Sequence, residues 1–346
     1  MTHPRPKPLP FDCSSSAVGE PGRVMALEAN FCRVDLDTPG PDNQRQVLCT
    51  QRTRLAKGGL TICVGDRVEV EAIDWGERRA VIARRGKRVN LLPRPPVANV
   101  SRVVVVVSLK DPDPDPLLLT RFLVSAEQLA LPVEVVLSKA DALPGGWLEA
   151  WCARLEGWCY SPLPVSIRTG LGVQDLARRL ATPGIAVFCG PSGVGKSSLL
   201  NALVPGQSLR VAPVSGRLRR GRHTTRHVEL IALPGTADAL LADTPGFNRP
   251  ALLASPSELA ACFPELRALT QRPCRYADCR HGGEAGCAVG TDWPRHGLYR
   301  QCLAEVEAIA AAQATGRAKE TALREDSSRR RRLLRDGAFS PQDLED

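Results

Sequence analysis

Long apolar runs are missing from this chain. No stretch reaches the ~18 residues that a membrane helix requires. The densest, Val100 to Leu109, is interrupted by Ser101 and Arg102 and reads as a buried strand. The N-terminal MTHPRPKPLPFDCSSS has basic residues but no continuous apolar segment, so it does not read as a secretory signal. These absences predict a cytoplasmic protein with no membrane partner. Biased composition is missing as well. Apolar residues make up 43% and charged residues 24% of the 346, which excludes collagen-like, mucin-like and wholly disordered readings.

Size, positive charge and cysteine are present instead. At roughly 150 residues per domain the chain makes two or three domains. Lys plus Arg number 46 against 37 Asp plus Glu, a formal net charge of +9. The excess is uneven, with arginine-rich patches at 78–94, 217–226 and 324–335. Such patches suit a polyanion, although a charge run is also the ordinary make-up of a solvated face. There are twelve cysteines. A reducing compartment points them towards metal ligation or burial rather than disulfides.

The rhythm of the chain changes several times. Residues 1–21 are rich in Pro and Ser, lack periodicity and predict a disordered tail. Residues 22–96 hold short alternating runs between turn signals, with no helix, and predict a small β-barrel. Proline-rich NLLPRPP then reads as a linker. From 97 to 250 strands alternate with helices, which predicts a parallel sheet covered on both faces. Residues 251–310 are helical, then cysteine-rich, then helical again, and 311–346 form a basic tail.

Gly190-Pro191-Ser192-Gly193-Val194-Gly195-Lys196-Ser197 fits the eight-residue P-loop pattern. Glycines let the backbone wrap closely around phosphate oxygens and offer its N–H groups. Lys196 would reach the β and γ phosphates, and Ser197 would place a hydroxyl on Mg²⁺. Ser198, in the first turn of the following helix, belongs to the same nucleotide-contacting set. The context fits: strand IAVFC precedes the loop and helix SSLLNAL follows it. Asp243-Thr244-Pro245-Gly246 ends the apolar strand DALLA. Beside a P-loop, Asp243 could hold Mg²⁺ and the Gly246 N–H could meet the γ-phosphate.

Ser138-Lys139-Ala140-Asp141 resembles the guanine motif of GTPases, with Ser138 where that motif has asparagine. A carboxylate at Asp141 can accept from guanine N1–H and N2–H₂ together, which adenine cannot match. Lys139 would lay its alkyl stem on the base and ribose. Ser166-Ile167-Arg168-Thr169-Gly170 resembles the loop whose backbone N–H, here at Ile167, meets guanine O6. Cys274-x4-Cys279-x-His281-x5-Cys287 supplies three thiolates and one imidazole. That is a closed tetrahedral Zn²⁺ set, structural rather than catalytic, one ion per chain.

The order of these motifs is unusual: the base motifs precede the P-loop, so the GTPase pattern is circularly permuted. That order, with a barrel before it and a Cys/His cluster after it, resembles the RsgA (YjeQ) family of bacterial small-subunit ribosome biogenesis GTPases. The resemblance covers about 22 to 303. It implies an N-terminal OB-fold barrel, a central permuted α/β P-loop GTPase domain and a helical zinc-binding C-terminal domain. It implies a GTP phosphohydrolase that binds the 30S subunit and 16S rRNA late in assembly and is stimulated by that subunit. GTP, GDP and Mg²⁺ complete the expected ligands, and a monomer is the expected state.

Phe247 follows DTPG, where many GTPases place the glutamine that orients water. An apolar ring cannot do this, so the loop Gly221-Arg222-His223-Thr224-Thr225 becomes the place to look. Thr224 or Thr225 would complete the Mg²⁺ shell. His223 could orient or accept from the attacking water, or could merely contact rRNA or solvent. A small-molecule kinase would need a substrate pocket and a further base, and the sequence offers neither. An RNA-binding module with a vestigial nucleotide site is at odds with the presence of Lys196, Ser197 and Asp243 together.

Overall fold

In the computed structural model, the alternating runs at the front of the chain become five strands. The described residues are 19–335 apart from 29, 53–58, 94, 142–144, 207–227, 237, 244–249, 251, 253–254 and 271, with side chains as far as 315. The strands are β1 (Glu20–Leu27), β2 (Cys32–Leu36), β3 (Gln46–Gln51), β4 (Arg67–Asp74) and β5 (Arg79–Arg85). They pair in the order β1-β2-β3-β5-β4, and β4 returns to β1, which closes a barrel. β4 covers only Glu20–Arg23 of β1, which leaves the C-terminal half of β1 free to pair elsewhere. Alternate positions turn inward, so Val24, Val34, Val47, Val68, Val70 and Ile82 form the barrel core.

The stretch read as a proline-rich linker is structured. Leu91–Pro93 (β6) and Pro96–Ala98 (β7) form a two-stranded ribbon. The Ala98 N–H donates to Val64 O at 2.8 Å, and Asn99 Nδ2 donates to Gly65 O at 3.0 Å. The ribbon is short, and its prolines sit at strand ends, where the missing N–H costs little.

The second sheet contains β8 (Val100–Ser108), β9 (Val133–Ser138), β10 (Leu163–Val165), β11 (Gly184–Cys189), β12 (Glu229–Ala232) and β13 (Ala239–Asp243). Its order is β10-β9-β8-β11-β13-β12. The first five run parallel, as the alternation predicts. β12 is antiparallel to β13, because the turn that joins them is too short for a crossover. Helices α1 (Pro116–Glu127), α2 (Trp147–Gly157) and α3 (Val173–Leu180) connect the parallel strands, and α4 (Lys196–Leu203) follows β11. Asp115 starts α1, accepting from the N–H groups of Leu117 and Leu118 at 2.8 and 3.2 Å, with Pro116 in the first turn. The valine run of β8 is buried as a central parallel strand should be. Val104, Val106 and Phe188 pack with Leu176, Leu180, Leu199 and Leu200.

The barrel meets this sheet edge to edge. β1 pairs with β12 at Ala26 opposite Glu229, and Arg33 forms an ion pair with Glu229.

The described residues divide into two units between residues 251 and 252. The second contains α5 (Pro264–Leu269) and α6 (His296–Arg335). The sequence reading separates a domain helix ending near 310 from a basic tail, whereas α6 runs unbroken across that point. Its first turns bury Tyr299, Cys302 and Val306 together with Phe263, Leu266 and Trp293 in the same unit. Arg295 is fully buried and forks onto Glu265, with both N–O distances 2.6 Å, while its guanidinium lies 4.4 Å from the Phe263 ring centroid. Two charges are tolerated there because each satisfies the other bidentately.

Candidate nucleotide site and metal cluster

Parallel strands in register bring their C-terminal ends to one edge of the sheet, and a ligand belongs there. Val165 lies beside Ser138, and Ser138 beside Ser108. The segments singled out by sequence leave β9, β10, β11 and β13 at these ends, so sheet order gathers them.

The P-loop spans the turn from β11 into α4. Gly190 has φ +140°, and a Cβ there would sit 2.2 Å from Val106 O. Only glycine lets the loop leave the sheet so closely. Gly195 has φ +93°, the left-handed region that favours glycine, and among the described residues no atom apart from its chain neighbours lies within 4 Å of a built Cβ there. Pro191, Ser192, Gly193 and Val194 complete the turn, while Ser197 and Ser198 lie in the first turn of α4. Lys196 Nζ donates to Gly190 O at 2.8 Å and to Pro191 O at 2.7 Å. Burial lowers the Lys196 pKa, offset by the Cys189 thiol and the Asp243 carboxylate. Burial likewise raises the Asp243 carboxyl, which the Lys196 charge opposes and Glu229 reinforces. Glu229 stands directly opposite Asp243 across β12 and β13. The serine hydroxyl of Ser197 and the Asp243 carboxylate are both oxygen donors, the kind a hard divalent cation takes.

The base segment is tied to the P-loop by side chains. Ser138 is buried, and its hydroxyl lies 2.7 Å from Val194 O and 3.2 Å from Val107 O. A serine at this position therefore still reaches the P-loop backbone. Lys139, with φ +58°, donates from Nζ to Gly193 O at 3.1 Å and also to Asp111 O. Asp141 Oδ1 accepts from the Ser166 hydroxyl, and Oδ2 accepts from Arg168 Nε at 2.6 Å. The Ser166 hydroxyl and then Arg168 hold the Asp141 pKa below the usual carboxylate range. Ile167 is half exposed in the same loop. The structure thus joins Ser138, Lys139, Asp141 and Ser166 to one another or to the P-loop. His223, Thr224, Thr225 and Gly246 lie outside the described residues.

Cys274, Cys279, His281 and Cys287 converge, with all four ligand atoms within 4.8 Å of one another. Nδ1 of His281 lies 3.6, 3.9 and 3.4 Å from the sulfurs of Cys274, Cys279 and Cys287. The sulfurs of Cys274 and Cys287 are 4.0 Å apart. Four donors spaced in this way surround a single point, so the set could hold one metal ion. Neighbouring groups support it: the Ala288 N–H donates to Cys274 Sγ at 3.3 Å, and the Tyr299 hydroxyl donates to Arg280 O. Hydrogen bonds of this kind orient metal ligands. His281 adopts φ +58°, which turns the chain sharply between two ligands.

Sequence reasoning missed Arg168 as a partner of Asp141, and Glu229 as the carboxylate facing Asp243. A basic residue two places after Ser166 was the available signal for the first. The second depends on strand register, which no local pattern carries.

The RsgA GTPase family profile matches residues 77–253. The small ribosomal subunit biogenesis GTPase RsgA of Synechococcus sp. (strain CC9605) is 52% identical over 289 residues, 83% of this chain and 94% of that protein. The protein of the same description from Prochlorococcus marinus (strain MIT 9313) is 50% identical over 300 residues, 83% of this chain and 93% of its own. Among solved structures, YjeQ from Thermotoga maritima superposes with a TM-score of 0.70 at 30% identity, covering 83% of this chain and 98% of that one. YloQ, described as a circularly permuted GTPase, superposes at 0.66 and 27% identity, covering 86% and 98%. With the base motifs ahead of the P-loop, a closed barrel before them and this identity along the chain, the protein belongs to the RsgA GTPase family.

Proposed function

We propose that this chain acts in biogenesis of the small ribosomal subunit as a GTPase, cleaving GTP to GDP and phosphate, with the 30S subunit and its 16S rRNA as partner and stimulator. The observation that carries the reading is the junction of base segment and P-loop: Lys139 Nζ on Gly193 O and Ser138 on Val194 O, with Asp141 braced by Ser166. A guanine set by Asp141 and phosphates set by the 190–197 loop would then be held in one register. The basic patches at 78–94 and 324–335 suit a phosphate backbone. Among the described residues no helix is long and apolar enough to cross a membrane, and the cytoplasm is the proposed compartment.

In this mechanism the loop N–H groups and the Lys196 ammonium bind the β and γ phosphates, stabilising charge as the terminal P–O bond breaks. Ser197 and Asp243, with Thr224 or Thr225, would hold Mg²⁺, which would supply charge neutralisation at the phosphates. His223 orients the attacking water, and the Gly246 N–H meets the γ-phosphate. Zinc is the metal proposed for the cysteine–histidine set. About 3.8 Å between sulfurs and about 3.6 Å between sulfur and nitrogen follow from tetrahedral geometry at zinc bond lengths, close to the 4.0 Å and the 3.4–3.9 Å of the cluster. With all four positions taken by protein, its role is to stand in for an apolar core.

The test is turnover of GTP against ATP, with and without purified 30S subunits. GTP hydrolysis raised by 30S, with ATP left nearly untouched, is the expected result; equal use of the two nucleotides would refute the reading. Asp141→Asn replaces an acceptor oxygen by an amide that faces guanine donors. GTP affinity should fall by about one to two orders of magnitude and xanthine nucleotide should become favoured. Titration with labelled GDP and XDP checks it, and unchanged preference would remove Asp141 from the site. His223→Ala should keep GTP affinity and 30S binding and lose most of the stimulated turnover. Full stimulation in that variant would move the role elsewhere.

A further inference from the structure

The carboxylate assigned to guanine selection already holds a partner from its own chain. Arg168 Nε donates to Asp141 Oδ2 at 2.6 Å, while the Ser166 hydroxyl takes Oδ1. The two members of the ion pair differ in setting: the Arg168 side chain is 75% exposed and the Asp141 side chain 12%. A guanidinium reaches in from solvent onto a carboxylate held in place by the fold.

Both groups stand on a tied turn. The Ser166 N–H donates to Leu171 O, and the Gly170 N–H to Ser166 O, each at 2.9 Å. The Thr169 N–H donates to the Ser166 hydroxyl at 3.2 Å, and that same hydroxyl donates to Asp141. Arg168 can leave the carboxylate by rotating its side chain, without any change in the turn.

An arginine guanidinium offers a carboxylate a planar edge of N–H donors. The N1–H and N2–H₂ edge of guanine offers the same kind of donors to the same oxygens. Each oxygen has two acceptor lobes, and the Ser166 hydroxyl and Arg168 already take one on Oδ1 and one on Oδ2, so a guanidinium on the solvent side of Oδ2 competes with a base edge approaching from that side. We propose that Arg168 is an internal competitor for guanine: its guanidinium pairs with the Asp141 carboxylate and is displaced from it when GDP or GTP binds. The proposal rests on the assignment of Asp141 as the guanine acceptor. A competitor tethered beside its target lowers nucleotide affinity and speeds release, because it takes up the oxygen as soon as the base begins to leave.

An ion pair with one member largely in water is weak and sensitive to salt, so the competition is modest. The full chain is compared as wild type, Arg168→Ala, Arg168→Gln, Arg168→Lys, Asp141→Asn and the Asp141→Asn/Arg168→Ala double variant, by titration and dissociation of fluorescent GDP. Arg168→Ala and Arg168→Gln are expected to bind GDP about 2–5-fold more tightly at low ionic strength, chiefly through slower dissociation. The difference should shrink as salt is raised, and Arg168→Lys should lie near wild type. In the Asp141→Asn background, Arg168→Ala should change nothing. Unchanged or weaker GDP binding by Arg168→Ala and Arg168→Gln would overturn the proposal, as would tighter binding that persists in the Asp141→Asn background. If Asp141→Asn leaves base preference untouched, the base-site assignment fails, and that outcome is read separately from the Arg168 series.

Discussion

Replacing Cys279 by alanine is expected to release about one metal equivalent per chain and to unravel the segment from Cys274 to Cys287. In zinc-finger peptides a structural Zn²⁺ is worth about 10–16 kcal/mol of apparent folding free energy, and three remaining ligands retain only part of it. Beyond the ligands this segment is held by the Tyr299 hydroxyl on Arg280 O, the Arg280–Glu307 ion pair and turn hydrogen bonds. It contains no helix or strand, and its side chains are exposed or half-buried. The neighbouring core of Phe263, Leu266, Trp293, Tyr299 and Val306, with the buried Arg295–Glu265 pair, contains none of the four ligands. Loosening should therefore stop near that core, and the nucleotide residues, all N-terminal to residue 250, should keep their affinity. Elemental analysis, amide hydrogen exchange across 274–287 and GDP titration read the three parts of this result. Metal retained at wild-type content would argue against the ligand set, and lost GDP binding would argue against its local role.

Lys196→Ala is expected to lower GTP turnover by about 10²–10³-fold, the usual cost of removing one preorganised group that stabilises transition-state charge. Its ammonium is buried within the loop it serves, fixed on the carbonyls of Gly190 and Pro191. On this reading nucleotide phosphate replaces those carbonyls as its partner. Truncation removes a charge that no solvent ion can replace with the same geometry. Because two carbonyls also lose a donor, thermal melting should accompany the kinetics to separate lost chemistry from a lost fold. Turnover within a few-fold of wild type, in a variant that melts normally, would refute Lys196 as the phosphate-binding charge.

The parts of the site closed within one short segment were legible in the sequence. The P-loop is strand, turn and helix in succession, and its glycines answer to local backbone demands such as the φ of +140° at Gly190. The cysteine–histidine set spans 274 to 287, so spacing alone limited its geometry. Asp141 and Ser166 could be named because 138–141 and 166–170 resemble the base loops of GTPases. Their direct contact could not, since it depends on β9 and β10 lying side by side. The linker read at 90–96 is instead part of a β-ribbon, because proline content reports on the N–H groups that are missing, not on what the neighbouring barrel can offer the rest.

Motif identity, motif order and the alternation of apolar residues were settled by the chain itself, because they depend on residue type and on separations of a few positions. Tertiary structure decided what depends on which strands become neighbours. The barrel closes only when β4 returns to β1. Ser138 reaches Val194, and Lys139 reaches Gly193, across more than fifty residues of chain. Glu229 faces Asp243 and meets Arg33 of the barrel because β12 turns back as a hairpin and its other edge meets β1. Arg168 lies on the Asp141 carboxylate for the same reason. Hydrogen-bonded register brings distant residues within contact distance, and nothing local to either partner specifies it.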